Sequence, residues 1–292
     1  MRIVYLQGGM GNQLFQYAFA RALEYRSGSP VKLDDSFFEG QNKRVLCLDN
    51  FNTKYQIASK AEVEKSLILK SSFLERALNF YSNKNEKNSL CIEKSFLFDD
   101  VFFSKKHKTY FRGYWQNEKY FKGIEDIIRE ELSIKHPASV QNSLLIDEIK
   151  ANRNSVSLHV RRGDYISEAQ TNKFHGVCGF DYYNDALDVL KARVGEFNLY
   201  IFSDDISWVK DNFEYSCNTI FVDWNNESSN YEDLRLMSLC KHNIIANSSF
   251  SWWGAWLNQN PNKIVIAPKQ WFADPITNLE IQDIIPKSWI TI

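Results

Sequence analysis

A chain of 292 residues is long enough for two ordinary domains or one large one, with a substantial buried core. A formal net charge of -1 argues against a general nucleic-acid role and against broad attraction to a membrane surface. Five scattered cysteines, with no C-x-x-C pair, argue against a disulfide framework or a zinc site and for reduced thiols in a reducing compartment.

The chain opens on "RIVYL" (2–6), which reads as a short buried strand, broken by "QGGMG". Leu14, Phe15, Ala18, Phe19, Ala22 and Leu23 then fall on one face of a helix, with Asn12 expected as its N-cap and Gly28 as its stop. The apolar run at the N-terminus is too short for a signal peptide, and no stretch has the length of a spanning helix. A soluble cytoplasmic protein is expected. Residues 35 to 130 are less regular, with a helix expected around 60 to 80 and polar loops such as "SNKNEKNS". Within them Lys105, Lys106, Lys108, Arg112, Lys119 and Lys122 interleave with Phe and Tyr. This cluster reads as a solvated face, with peripheral contact to an anionic membrane as the alternative.

The sequence gives no oligomeric state. A domain boundary is expected inside 133–154 and is set at 145/146, giving an N-terminal domain 1–145 and a C-terminal domain 146–292. Beyond it, short apolar runs recur at 155–160, 199–203, 219–222, 243–246 and 263–267. Helical patterns lie between them at 181–194, 205–213, 230–241 and 248–258. This alternation predicts a parallel, Rossmann-like α/β sheet covered on both faces.

In such a sheet ligands bind beyond the carboxyl ends of the strands. Three polar clusters are expected there: His159 to Asp164, then Ser203-Asp204-Asp205, then Asn247 to Gly254. The third sets Ser248, Ser249, Phe250 and Ser251 at a helix N-terminus, where free N–H groups attract anions. Arginine suits bidentate contact with phosphate. A nucleoside diphosphate would satisfy all three clusters: Arg161 and the helix N-terminus for its phosphates, a carboxylate such as Asp204 for its base or ribose. Neither a P-loop nor D-x-D occurs, and Leu14 stands where G-x-G-x-x-G needs its third glycine. Positive charge must then come from arginine and backbone dipoles.

The stretches "GGMGNQLFQYAFARAL", "GYWQNEKYF", "HVRRGDY", "FSDD" and "NSSFSWWGAWLN", in this order, resemble the bacterial α1,2-fucosyltransferases of glycosyltransferase family 11. The segment from about 36 to 100 carries none of these motifs. The resemblance implies a GT-B architecture of two Rossmann-like domains with the active site in the cleft between them. It implies transfer of L-fucose from GDP-β-L-fucose to the 2-OH of a terminal galactose, with inversion and no metal or other cofactor. Arg161 then meets the β-phosphate, and the loop of Gly11, Asn12 and Gln13 approaches the reacting sugar. His159, Ser203, Asp204 and Asn247 join the serines and Phe250 on the donor, and Tyr114, Trp115 and Gln116 face the acceptor. Asp164 is the candidate base, with a donor phosphate oxygen or a carboxylate of the N-terminal domain as alternatives. Arg162 either joins the site or braces the loop through Asp164. A second enzyme reading changes the acceptor hydroxyl or sugar, and a reading of another class is a glycan-binding protein without catalysis.

Overall fold

The structure, a computed structural model, describes residues 1–40, 43–67, 89–105, 109–163, 176–215 and 217–292. These residues form two compact units, Met1–Ser133 and Ile134–Ile292.

In the first unit, β1 (Arg2–Tyr5) runs into a loop where Gly8 takes φ +81°, a left-handed conformation that glycine adopts without strain. Helix α1 (Met10–Ser27) follows. Its N-cap is Gly9, so the expected Asn12 cap is corrected: Asn12 lies inside the first turn, its N–H donating to Gly9 O. The predicted apolar face is buried, with Leu14, Phe15, Ala18, Phe19, Ala22 and Leu23 all at 2% exposure or less. Gly28 ends the helix in the left-handed region and donates to Glu24 O.

Strands β2 (Val31–Asp34), β3 (Gln56–Ile57), β4 (Ser89–Ile92) and β5 (Thr109–Arg112) complete a parallel sheet in the order β3-β2-β1-β5-β4. Sequence patterning missed these four because they are short and lack a clean period. Helix α2 (Lys60–Leu67) begins the helix expected near 60 to 80, whose remainder lies outside the described residues. So do Lys106 and Lys108 of the basic cluster. Helix α3 (Glu125–Glu131) is tied to α1 by Glu131, which is 2% exposed. Its carboxylate accepts from Arg21 at 2.8 Å and from the Tyr17 hydroxyl at 2.6 Å.

Helix α4 (Val140–Ala151) belongs to the second unit, so the division falls earlier than 145/146. The Asn142 side chain fixes it there, accepting from Trp224 Nε1 at 2.7 Å and donating to Asn225 at 2.9 Å. The remaining strands are β6 (Ser155–Val160), β7 (Asn198–Ser203), β8 (Thr219–Phe221), β9 (His242–Ile244), β10 (Val265–Ala267) and β11 (Ile290–Thr291). All pair in parallel, in the order β11-β10-β9-β6-β7-β8. Counted within the unit this is 3-2-1-4-5-6, the strand order of dinucleotide-binding sheets, and the order reverses between β6 and β9. Helices α5 (Phe180–Val194), α6 (Ile206–Asn212), α7 (Asn230–Leu239) and α8 (Ser249–Leu257) fall where the apolar periodicity placed them, and α9 (Pro275–Asn278) follows.

The strand β6 is buried at every position yet alternates in chemistry. Val156, Leu158 and Val160 pack into an apolar cluster with Tyr183, Ala186, Leu190 and Val209. Ser155, Ser157 and His159 face the other way. Ser157 Oγ accepts from Asn243 Nδ2 at 2.7 Å, and Asn243 also donates to Met237 O of α7. His159 ends this polar row, its ring 5.6 Å from that of Phe250. Among the described residues no helix is long and apolar enough to cross a membrane.

Candidate active site

The second unit presents its polar groups where the sheet order reverses. Leaving β6, the chain enters Arg161, Arg162 and Gly163; β7 ends at Ser203 and is followed by Asp204 and Asp205. Val160 pairs with Ser203, so the two turns lie side by side. The Asp204 carboxylate joins them: Oδ2 lies 2.8 Å from Arg161 Nη1, and Oδ1 accepts the Arg162 N–H at 2.9 Å. A Cβ on Gly163 would lie 2.6 Å from Asp204 Oδ2, so only glycine leaves room for this bridge.

Arg162 goes a different way. Its guanidinium carbon sits 3.2 Å from the centroid of the Trp208 ring, and its Nε is 3.6 Å from Asp205 Oδ2. Asp205, rather than Asp204, caps α6 by accepting from Trp208 N, while Ser203 Oγ accepts from Asp205 N at 3.0 Å. Arg162 thus braces the turn through Trp208 and Asp205. Asp164, expected both as a base and as the partner of Arg162, lies outside the described residues.

His159 is 4% exposed, and its Nδ1 has no hydrogen-bond partner among the described residues. Burial pushes its pKa down to about 4, helped by Arg161 and opposed by Asp204, so the imidazole is neutral near pH 7. At the other side of the switch point, Ser248 caps α8, its Oγ accepting from Phe250 N at 3.3 Å. Ser249 and Phe250 remain partly exposed.

Two expected donor contacts turn inward. Asn247 is 2% exposed and its Nδ2 donates to Trp271 O at 3.1 Å and Gly176 O at 3.3 Å. Ser251 is fully buried, with Oγ 3.3 Å from Ser248 O. The side chains of both hold loops together. Trp252, Trp253 and Trp256 are core residues, with Trp252 Nε1 donating to Ile284 O at 2.8 Å.

In the first unit β1 and β5 lie side by side at the centre of the sheet. Gln16 ties the two strand ends, accepting from Gln7 N at 2.9 Å and donating to Gly113 O at 3.1 Å. Gly11, Asn12 and Gln13 lie in the first turns of α1. Asn12 Oδ1 accepts from Gln116 Nε2 at 2.7 Å, so "GGMGNQ" and "GYWQ" meet. Gln13 is fully buried: it donates to Gly8 O and Val45 O and accepts from Cys47 N, which fastens the loop to the 45–47 segment. Trp115 has no exposed surface and stacks on Phe19 with ring centroids 4.0 Å apart. Gln13 and Trp115 are therefore packing residues here, whereas Tyr114 is 37% exposed and Gln116 partly so.

Sequence reasoning missed Glu93, which follows β4. One of its oxygens accepts from the backbone N–H groups of Tyr114 at 2.6 Å and Trp115 at 3.0 Å. A glutamate after the four-residue run "SLCI", in a segment without motifs, gave no signal that would have found it.

The family model for glycosyl transferase family 11 matches residues 1–292. An α-1,2-colitosyltransferase of Escherichia coli is 36% identical over 98% of this chain and 97% of its own. The E. coli O-antigen biosynthesis glycosyltransferase WbnK is 35% identical over 92% and 94%. The human galactoside α-(1,2)-fucosyltransferase 1 matches at 25% over 47% of this chain and 40% of its own. Among solved structures, a mutant of Arabidopsis thaliana FUT1 in complex with GDP has a TM-score of 0.52 at 10% identity, covering 90% of this chain and 69% of that one, a likeness of fold. With two parallel α/β sheets of the GT-B kind and the family's sequence pattern along its whole length, the chain belongs to glycosyl transferase family 11 and is a glycosyltransferase.

Proposed function

We propose that this chain transfers L-fucose from GDP-β-L-fucose to the 2-hydroxyl of a terminal galactose in an oligosaccharide or surface glycan. The observation that carries the reading is Arg161, held by Asp204 at the strand-order reversal of the second unit. Breaking the bond between fucose C1 and the β-phosphate oxygen leaves negative charge on GDP. A guanidinium already oriented toward that position stabilises the departing diphosphate more than the ground state. The N–H groups at the start of α8, around Ser249 and Phe250, add partial positive charge. The reaction then needs no divalent cation. We assign His159, neutral at the carboxyl end of β6, to the guanine side of the donor. The α1,2 linkage is the feature common to the names of the colitosyl and fucosyl relatives.

A second reading keeps the linkage and changes the sugar. A relative matched over 97% of its length is a colitosyltransferase, and colitose is fucose without its 3-hydroxyl. Incubation with GDP-fucose or GDP-colitose and a panel of galactose-terminated acceptors, read by mass and linkage analysis, tests both. Preference for GDP-fucose supports the first reading. Preference for GDP-colitose replaces it with the second, and transfer to a position other than the 2-hydroxyl overturns the linkage. Binding of glycan without transfer from either donor overturns both readings.

A further inference from the structure

We propose that Glu93 is the general base of the transfer, receiving the proton of the acceptor hydroxyl from a sugar seated in the pocket beside it. This rests on the glycosyl-transfer reading above and names the group that reading leaves open.

The pocket, of about 380 Å³, lies at the carboxyl ends of β1, β4 and β5. Gln7, Glu93, Ser95, Phe96, Arg112 and Tyr114 help to line it. An aromatic wall with a few converging polar groups suits a sugar ring. Glu93 is fixed with unusual care. The backbone N–H groups of Tyr114 and Trp115 hold its carboxylate, and a Cβ on Gly113 would lie 2.5 Å from Glu93 Cβ. Trp115 takes φ 57°, a left-handed conformation that a bulky residue adopts at a cost. That backbone aims its N–H at the carboxylate. The Tyr114 and Trp115 N–H groups make their shorter bonds to Oε2, and among the described residues Oε1 has a longer contact of 3.2 Å to Trp115 N.

Burial pushes the Glu93 carboxyl up to about 7, against the pull of the two N–H groups. The charged or titratable groups facing it in the pocket are Lys94, Arg112 and Tyr114. A base titrating near the working pH is matched to removing a proton as the new bond forms. In the step, the acceptor oxygen forms its bond to sugar C1 while the bond from C1 to the phosphate oxygen breaks. The bonding pair leaves with GDP, and the hydroxyl proton passes to Glu93.

The test is the pH dependence of transfer by the full chain, with Glu93→Gln and Asp164→Asn beside it. In the wild type kcat/KM is expected to rise with pH through an acid limb near 7. Glu93→Gln is expected to lose that limb and roughly a hundredfold or more of kcat. Its melting temperature and its thermal shift with GDP should match the wild type, and Asp164→Asn should keep the limb. A wild-type profile flat between pH 5.5 and 8.5 overturns the proposal whether or not the variant folds. So does a folded Glu93→Gln enzyme within about threefold of wild-type kcat, or loss of the limb in Asp164→Asn alone. A wild type that transfers no activated sugar to any acceptor overturns the glycosyl-transfer reading itself, and this proposal with it.

Discussion

The Asp204 carboxylate binds two consecutive residues at once, the Arg161 guanidinium through Oδ2 and the Arg162 backbone N–H through Oδ1. One acidic group thereby fixes both the charge and the backbone of the turn. The two arginines are adjacent in sequence but unequal in duty. Arg161 pairs with Asp204 after β7, and the Arg162 guanidinium sits over the Trp208 ring.

Arg161→Lys keeps the charge and loses the planar fork. Removing one preorganised donor to a developing anion costs about 2.7–4 kcal/mol, so kcat should fall roughly a hundred- to a thousandfold. Arg162→Lys loses only its stacking on Trp208 and should cost less than tenfold. Steady-state kinetics of the two variants at unchanged melting temperature decide the matter, and the reverse ranking would exchange their roles.

Gly163→Ala tests the bridge without touching a charge. The new methyl must displace the Asp204 carboxylate. We expect a fall of roughly tenfold or more in kcat with a change in stability below about 1 kcal/mol. Wild-type kinetics in a folded Gly163→Ala enzyme would show that Asp204 has no part in orienting Arg161.

Transfer should survive EDTA, because Arg161 and the start of α8 supply the positive charge that a cation would otherwise bring. Loss of activity in chelator, restored by Mn²⁺ or Mg²⁺, is the contrary result.

Trp115 should report on stability rather than on acceptor binding. Trp115→Ala is expected to cost about 3–5 kcal/mol in a denaturant titration, since a fully buried ring stacked on Phe19 is removed. Trp115→Phe should lower the melting temperature yet leave the acceptor KM within about twofold. A stable Phe variant with a greatly raised acceptor KM would return Trp115 to the acceptor.

His159 makes stability depend on acid. Its pKa is about 4 in the folded chain against 6.5 ordinarily, so the unfolded chain binds more protons between those values. Stability should therefore fall as pH drops from 6.5 toward 4, by up to roughly 3 kcal/mol from this group. His159→Gln should flatten that part of a pH series of denaturant midpoints. An unchanged slope counts against a buried neutral imidazole.

Much of the second unit was legible because its strands are longer or more apolar and its helices strongly periodic. The run "SVSLHV" coincides with β6, and the rim it ends in was anticipated. The partners on that rim were not. Whether Asp204 or Asp205 caps α6, and which arginine each meets, depends on side-chain directions that spacing leaves open. Asn247 and Gln13 look from sequence like ligand groups, yet both spend their amides on backbone carbonyls. In the first unit β2 to β5 were missed, and Glu93 with them, since its environment is assembled from "SLCI" and "GYWQ", far apart in the chain.

The order of strands also dictates a schedule of assembly. β6 is central, but its neighbour β9 is made more than eighty residues later, at His242–Ile244. During synthesis β6 and β7 can pair while the other edge of β6 waits, open, for the segment that begins at His242. Parallel pairings of such sequence separation close slowly and expose unpaired edges meanwhile. A chain cut before β9 would leave one edge of β6, a strand buried at every position, uncovered, and loss of the last fifty residues should yield aggregate rather than a smaller, weaker enzyme.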